Sequence, residues 1–125
     1  MSATVLLAED DAPSRQIYYT VLDAEGYRVI EVPDGKSALD VLNSEPVDLL
    51  LTDVMMPGMT GDELARLLRQ EQPELKVLYL TGYSDRLFRE KTTLWADEAF
   101  LEKPCSVKAL REAVSLLLIG RLEAA

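Results

Sequence analysis

The 125-residue chain predicts an α/β domain, an open and doubly wound parallel sheet with helices on both faces. Three observations carry that reading. Short apolar runs of strand length alternate with helical segments along the chain, and such alternation calls for crossover connections and a parallel sheet. Helix-starting and helix-ending residues bracket the segments between the runs. The first run ends on Glu9-Asp10, the third on Asp53, the fourth on Thr81 and the fifth on Lys103. Parallel strands point all of these ends to one edge of the sheet, where open α/β sheets place their reacting groups.

Val5 to Ala8 is the first strand. Asp11 caps the helix that follows, Ala12-Pro13 starts it, Ile17, Val21 and Leu22 share one face, and Gly26 stops it. Tyr27 to Val32 is the second strand, and Asp34-Gly35 opens a helix whose Ala38, Leu39 and Leu42 face inward. Val47 to Thr52, interrupted only by Asp48, is the third and most buried strand. After Pro57-Gly58-Met59-Thr60-Gly61 a helix carries Leu64, Leu67 and Leu68 and ends before Pro73. Leu75 to Thr81 forms the fourth strand, with Val77, Leu78 and Leu80 too apolar for a half-exposed position. Between Gly82 and Ala96, Leu87, Phe88, Leu94 and Trp95 keep no clean helical period, and Thr92-Thr93 lowers helix propensity, so a short or irregular fourth helix is expected. Ala99-Phe100-Leu101 is a short fifth strand, and Val107, Leu110, Val114 and Leu117 define a last helix begun after Pro104. Leu122 to Ala125 reads as an untethered end.

Composition excludes several function classes. With 48% hydrophobic and 28% charged residues, the chain has the makings of one domain with a single core. A net charge of −9 argues against direct nucleic-acid binding, which rests on clustered Lys and Arg. No His is present, which removes imidazole metal sites, Ser-His and Cys-His nucleophile pairs, and a phosphohistidine on this chain. A single Cys105 fits a reducing cytoplasm. No apolar run approaches a membrane span, and Met1-Ser2-Ala3-Thr4 lacks the layout of a signal peptide, so no membrane contact is expected.

The strand-end groups match what phosphoryl transfer requires. A carboxylate such as Asp53, followed at once by Val54-Met55-Met56-Pro57-Gly58, can attack phosphorus. Glu9 and Asp10 add hard oxygen donors whose mutual repulsion a cation relieves. Lys103 supplies a point charge on a flexible stem, and Thr81 a hydroxyl that can donate to phosphate. Other polar and sulfur groups have structural readings: Asp11 as a helix cap, Cys105 as a small apolar filler, and Met55, Met56 and Met59 as loop packing.

Taken with Glu9-Asp10, Asp53 in LLLTDVMMPGMTG, Thr81-Gly82 and Lys103-Pro104, the chain resembles a receiver domain of two-component response regulators over essentially its whole length, 1–125 with a core of about 4–120. The resemblance implies a flavodoxin-like fold with strand order 2-1-3-4-5. It implies that Asp53 takes a phosphoryl group from a phosphohistidine on a sensor histidine kinase or a histidine phosphotransfer protein. It implies Mg²⁺, or Mn²⁺ in its place, bound through Asp10, Asp53 and the backbone carbonyl of Met55, with Glu9 acting mostly through water. Thr81 and Phe100 become the switch pair, the hydroxyl moving toward phosphate while the ring turns inward. The domain then promotes only its own phosphorylation and slow dephosphorylation and is otherwise no enzyme. The phrases KVLYLTGYSD and AFLEKP look like receivers attached to hybrid histidine kinases. Two departures stand out: Cys105 replaces the usual aromatic after Lys-Pro, and Arg86 to Asp97 does not read like the family's ordinary fourth helix. Two other readings compete. A phosphohydrolase of the haloacid dehalogenase type would carry a second Asp two residues after the nucleophile, where Met55 stands; a pseudo-receiver used only for contacts would have lost an acidic, Asp or Lys position, and none is lost.

Overall fold

The computed structural model describes residues 3–82 and 98–119. The elements run β1 (Thr4–Ala8), α1 (Ala12–Ala24), β2 (Arg28–Val32), α2 (Gly35–Ser44), β3 (Leu49–Asp53), α3 (Gly61–Glu71), β4 (Lys76–Thr81), β5 (Glu98–Glu102) and α4 (Val107–Ile119). The strands pair in the order β2-β1-β3-β4-β5, all parallel. This is the doubly wound, flavodoxin-like order that the resemblance to receiver domains implies. The irregular helix expected between Gly82 and Ala96 falls on residues 83–97, and the untethered Leu122 to Ala125 also lies outside the described residues.

Alternation along the three central strands builds two cores. Leu6 and Ala8 of β1, Leu50 of β3, and Val77 and Tyr79 of β4 meet Ala38 of α2 and Leu64 and Leu68 of α3 on one face. Val5, Leu7, Leu49, Leu51, Leu78 and Leu80 meet Leu22 of α1 and Leu110 and Val114 of α4 on the other. A sheet covered on both faces needs apolar side chains at every position of its central strands, which is why β3 reads as a continuous run.

Helix starts follow local side-chain chemistry. Asp11 Oδ2 accepts the Ser14 N–H at 3.0 Å, Asp34 Oδ1 accepts the Ser37 N–H at 2.8 Å, and Ser106 Oγ accepts the Ala109 N–H at 3.0 Å. At α3, Thr60 Oγ1 accepts the Glu63 N–H at 3.4 Å and donates to Glu63 Oε1 at 2.9 Å. Gly26, at φ 91°, takes the left-handed conformation that ends α1.

Several expected inward positions differ. Ile17 is 59% exposed, because Tyr18, Tyr19, Val21 and Leu22 supply the face of α1 that meets the sheet. Val107 is also exposed, since it opens α4 one turn before the helix reaches the core at Leu110. Strand β3 starts at Leu49 instead of Val47. The Gln72 side-chain amide receives the Val47 N–H at 3.0 Å and donates to the Val47 carbonyl at 2.8 Å, standing in for a neighbouring strand. Asp48 Oδ2 accepts the Thr4 N–H at 2.7 Å, so the charge inside the apolar run sits at the strand's entry.

Candidate functional site

Register brings the strand ends together. Ala8 of β1 lies beside Thr52, Asp53 beside Leu80 of β4, and Thr81 beside Glu102 of β5. The residues that follow each strand therefore converge above the sheet's carboxyl edge. An open cleft of about 180 Å³ sits there, lined by Glu9, Asp10, Asp11, Asp53, Met55, Gly82 and Lys103. Carboxylate oxygens of Glu9, Asp10 and Asp53 all lie within 4.8 Å of one another, the one such cluster of potential metal ligands among the described residues.

Lys103 bridges the two buried acids. Its Nζ donates to Glu9 Oε1 at 3.0 Å and forms an ion pair with Asp53 Oδ1. The Glu9 side chain is fully buried, and Glu9 Oε2 accepts the Asp11 N–H at 3.2 Å. Burial opposes ionisation of Glu9, but hydrogen bonds from Asp53, Lys103 and the Asp11 N–H outweigh it and hold Glu9 below its ordinary value. Burial, reinforced by the Glu9 carboxylate, pushes Asp53 up to about 8 despite the Lys103 ammonium. Burial alone would lower Lys103; its contacts with Asp53 and Glu9 raise it instead, so Lys103 stays charged. Two buried carboxylates sharing one ammonium thus favour uptake of a proton at Asp53 when no further cation is present.

The backbone around Asp53 is tightly held. The Val54 N–H reaches the Leu80 carbonyl at 3.1 Å, the Gly61 N–H reaches the Val54 carbonyl at 2.7 Å, and Thr52 Oγ1 donates to the Asp53 carbonyl at 2.9 Å. A Cβ on Gly61 would collide with the Asp53 carbonyl oxygen and lie 3.0 Å from its carbon. Only glycine lets the first residue of α3 approach the backbone at Asp53 this closely.

The structure gathers Glu9, Asp10, Asp53, Met55 and Lys103 at the cleft but does not bring Thr81 or Phe100 to its lining. The buried Thr81 hydroxyl donates to the Leu101 carbonyl at 3.5 Å, and Phe100 is 46% exposed on the edge strand β5. Asp11, read as a cap, both caps α1 and lines the cleft. Gly82 lines it as well. Two arginines escaped the sequence reading. Arg15 Nη1 donates to the Glu9 carbonyl at 2.8 Å, and Arg69 forms a buried ion pair with Glu98 at 2.6 Å. Spacing offers a weak signal for Arg15, one turn into a helix begun by the acidic cap; nothing local marks Arg69.

Fold and site together define an open α/β domain with an acidic, lysine-bridged cleft at the carboxyl ends of its central strands. The family model for the response regulator receiver domain matches residues 5–115. The chain belongs to that family. It is 36% identical over 116 residues to the response regulator receiver protein CpdR of Brucella abortus, spanning 93% of this chain and 97% of that protein. It is 37% identical over 119 residues to the sensor kinase CckA of the same organism, covering 94% of this chain and 13% of that protein. A crystal structure of a response regulator receiver protein from Sinorhizobium medicae superposes with a TM-score of 0.85 at 30% identity, covering 96% of this chain and 97% of that one. The chemotaxis protein CheY4 of Vibrio cholerae superposes with a TM-score of 0.82 at 28% identity, covering 94% and 100%. This chain is thus a receiver domain of two-component signal transduction. Among the described residues, no helix is long and apolar enough to cross a membrane.

Proposed function

We propose that the domain accepts a phosphoryl group on Asp53 from a phosphohistidine on a sensor histidine kinase or histidine phosphotransfer protein, and signals by a change of conformation. One observation carries this reading: Asp53, at the end of the central strand, is contacted by Lys103 and lies in one cluster with Glu9 and Asp10.

In the proposed transfer an Asp53 carboxylate oxygen attacks phosphorus, a P–O bond forms, the P–N bond to the partner's imidazole breaks, and the imidazole leaves with the bonding electrons and takes up a proton. Lys103, already beside Asp53, is placed to pair with a phosphoryl oxygen once the carboxylate charge is consumed. The donor set fits a hard divalent cation, because carboxylate oxygens are its preferred ligands and three of them already converge. Glu9, Asp10, Asp53 and the Met55 carbonyl would hold Mg²⁺, with Mn²⁺ able to replace it. When bound, the ion supplies positive charge that offsets the crowded carboxylates and the transferred oxygens.

Thr81 and Phe100 are the proposed switch pair. The Thr81 hydroxyl bonded to Leu101 and the half-exposed ring of Phe100 describe the resting arrangement from which such a change would start. Phosphohydrolase turnover is disfavoured by Met55, which puts a thioether where a second Asp would serve. A pseudo-receiver role is disfavoured by the complete acid, Asp and Lys set.

The test is incubation with Mg²⁺ and acetyl phosphate followed by intact-mass measurement. A stable added phosphate on the native protein, absent from Asp53→Asn, is the expected result. Undiminished labelling of Asp53→Asn would sink the assignment, and rapid consumption of donor without a labelled protein would favour the hydrolase.

A further inference from the structure

We propose that Arg15 is a positioning residue that orients the Glu9–Asp10 peptide and, through it, presents the Asp10 carboxylate to the metal. The inference rests on the metal-site reading given above and adds to it a residue outside the cleft lining.

Glu9 is fixed at every polar atom, by β2, by the start of α1 and by the residue that follows β5. Its N–H donates to the Val32 carbonyl at 3.1 Å, its carboxylate receives the Asp11 N–H and Lys103 Nζ, and its carbonyl receives Arg15 Nη1 at 2.8 Å. The last of these differs from the rest. The Glu9 carbonyl belongs to the planar peptide that carries the Asp10 nitrogen, so fixing that oxygen fixes the direction in which Asp10 leaves β1. Asp10 is exposed, unlike the buried Glu9, and its carboxylate is correspondingly dependent on its backbone for placement.

Arg15 is itself anchored twice. It stands on the first turns of α1, its backbone N–H bonded to the Asp11 carbonyl at 2.9 Å. Its Nε faces Glu31 Oε1 of β2 at 3.4 Å, and its side chain is only 20% exposed. A planar guanidinium engaged on two edges is directional in a way that an ammonium is not. The arrangement clamps the β1–α1 loop between the neighbouring strand and the helix that follows.

Charge and position predict opposite signs. A guanidinium near a cation site repels the cation, so if charge were the only effect, removing Arg15 would tighten metal binding. If Arg15 acts by position, removing it loosens binding although a positive charge has been lost. Titration with Mn²⁺ alone, read by electron paramagnetic resonance of the free ion, separates the two. Arg15→Gln is expected to weaken Mn²⁺ binding roughly tenfold, as groups that orient metal ligands typically do. Arg15→Lys, which keeps the charge and one donor, is expected to recover part of the loss. In the metal-free protein the Asp10 amide resonance should shift in Arg15→Gln while those of β4 stay in place, a signature that general loosening of the fold would not give.

Equal or tighter Mn²⁺ binding by Arg15→Gln, with native binding abolished in Asp10→Asn, overturns the role of Arg15 and leaves the metal site standing. Absence of Mn²⁺ binding by the native chain overturns both readings together.

Discussion

Replacing Glu98 with Ala should be strongly destabilising although it lies outside the acidic cleft. Glu98 opens β5 and is 2% exposed at its side chain, with Arg69 of α3 at 5% and 2.6 Å away. The same carboxylate oxygen accepts the Tyr79 hydroxyl at 2.9 Å, while Arg69 Nε and Nη2 donate to the Leu75 carbonyl at 3.2 and 2.9 Å. Removing the carboxylate takes the shared acceptor from a buried guanidinium and a buried phenol at once. Breaking a buried ion pair on one side costs about 3–5 kcal/mol, because the remaining charge stays desolvated. At roughly 4 °C per kcal/mol for a domain of this size, the melting temperature should fall by about 12–20 °C. Urea unfolding and thermal melts of Glu98→Ala, Arg69→Met and the double variant, without metal, give the measurement. The double variant should lose clearly less than the sum of the singles, since the guanidinium that loses Glu98 in the single variant is itself gone. A loss below about 1 kcal/mol in Glu98→Ala, or simple additivity in the double variant, would refute the claim that this pair anchors β5.

Three further outcomes follow from the site. Gly61→Ala should cost at least about 2 kcal/mol and slow phosphorylation by acetyl phosphate, because its methyl must displace the Asp53 carbonyl; native stability and labelling rate would contradict this. In the metal-free protein, Asp53 has its folded value raised from 3.8 to about 8, so protonated Asp53 stabilises the fold and that stability is lost as pH rises toward 8. Glu9, lowered from 4.5, acts in the opposite sense but only at lower pH, so thermal melts from pH 5 upward should fall toward pH 8 and flatten in Asp53→Asn, which should also melt higher; an equal slope in both proteins would be decisive against it. Met55, 52% exposed on the cleft lining, offers no carboxylate or amide to orient water, so Met55→Asn should speed loss of phosphate, by roughly tenfold if about 1.4 kcal/mol of barrier depends on water placement. An unchanged decay rate at saturating Mg²⁺ would place the control elsewhere.

What the sequence determined by itself were the features set locally. The apolar runs that became β1, β3 and β4, the caps at Asp11, Asp34 and Thr60, and the turn at Gly26 each depend on residues within a few positions, so period and cap chemistry reveal them. Parallel topology then put Glu9, Asp10, Asp53 and Lys103 on one edge, and the cleft contains all four. Only the tertiary structure could decide which side of a helix faces the sheet, and Ile17 shows why: it stands four residues before Val21 yet is exposed, while Tyr18 and Leu22, also four apart, meet the sheet. The same holds for Arg69 and Glu98, twenty-nine positions apart, and for Arg15 on the Glu9 carbonyl. These are pairings of charges and backbone groups brought together by packing; spacing only faintly marks Arg15, and no local pattern announces Arg69 with Glu98.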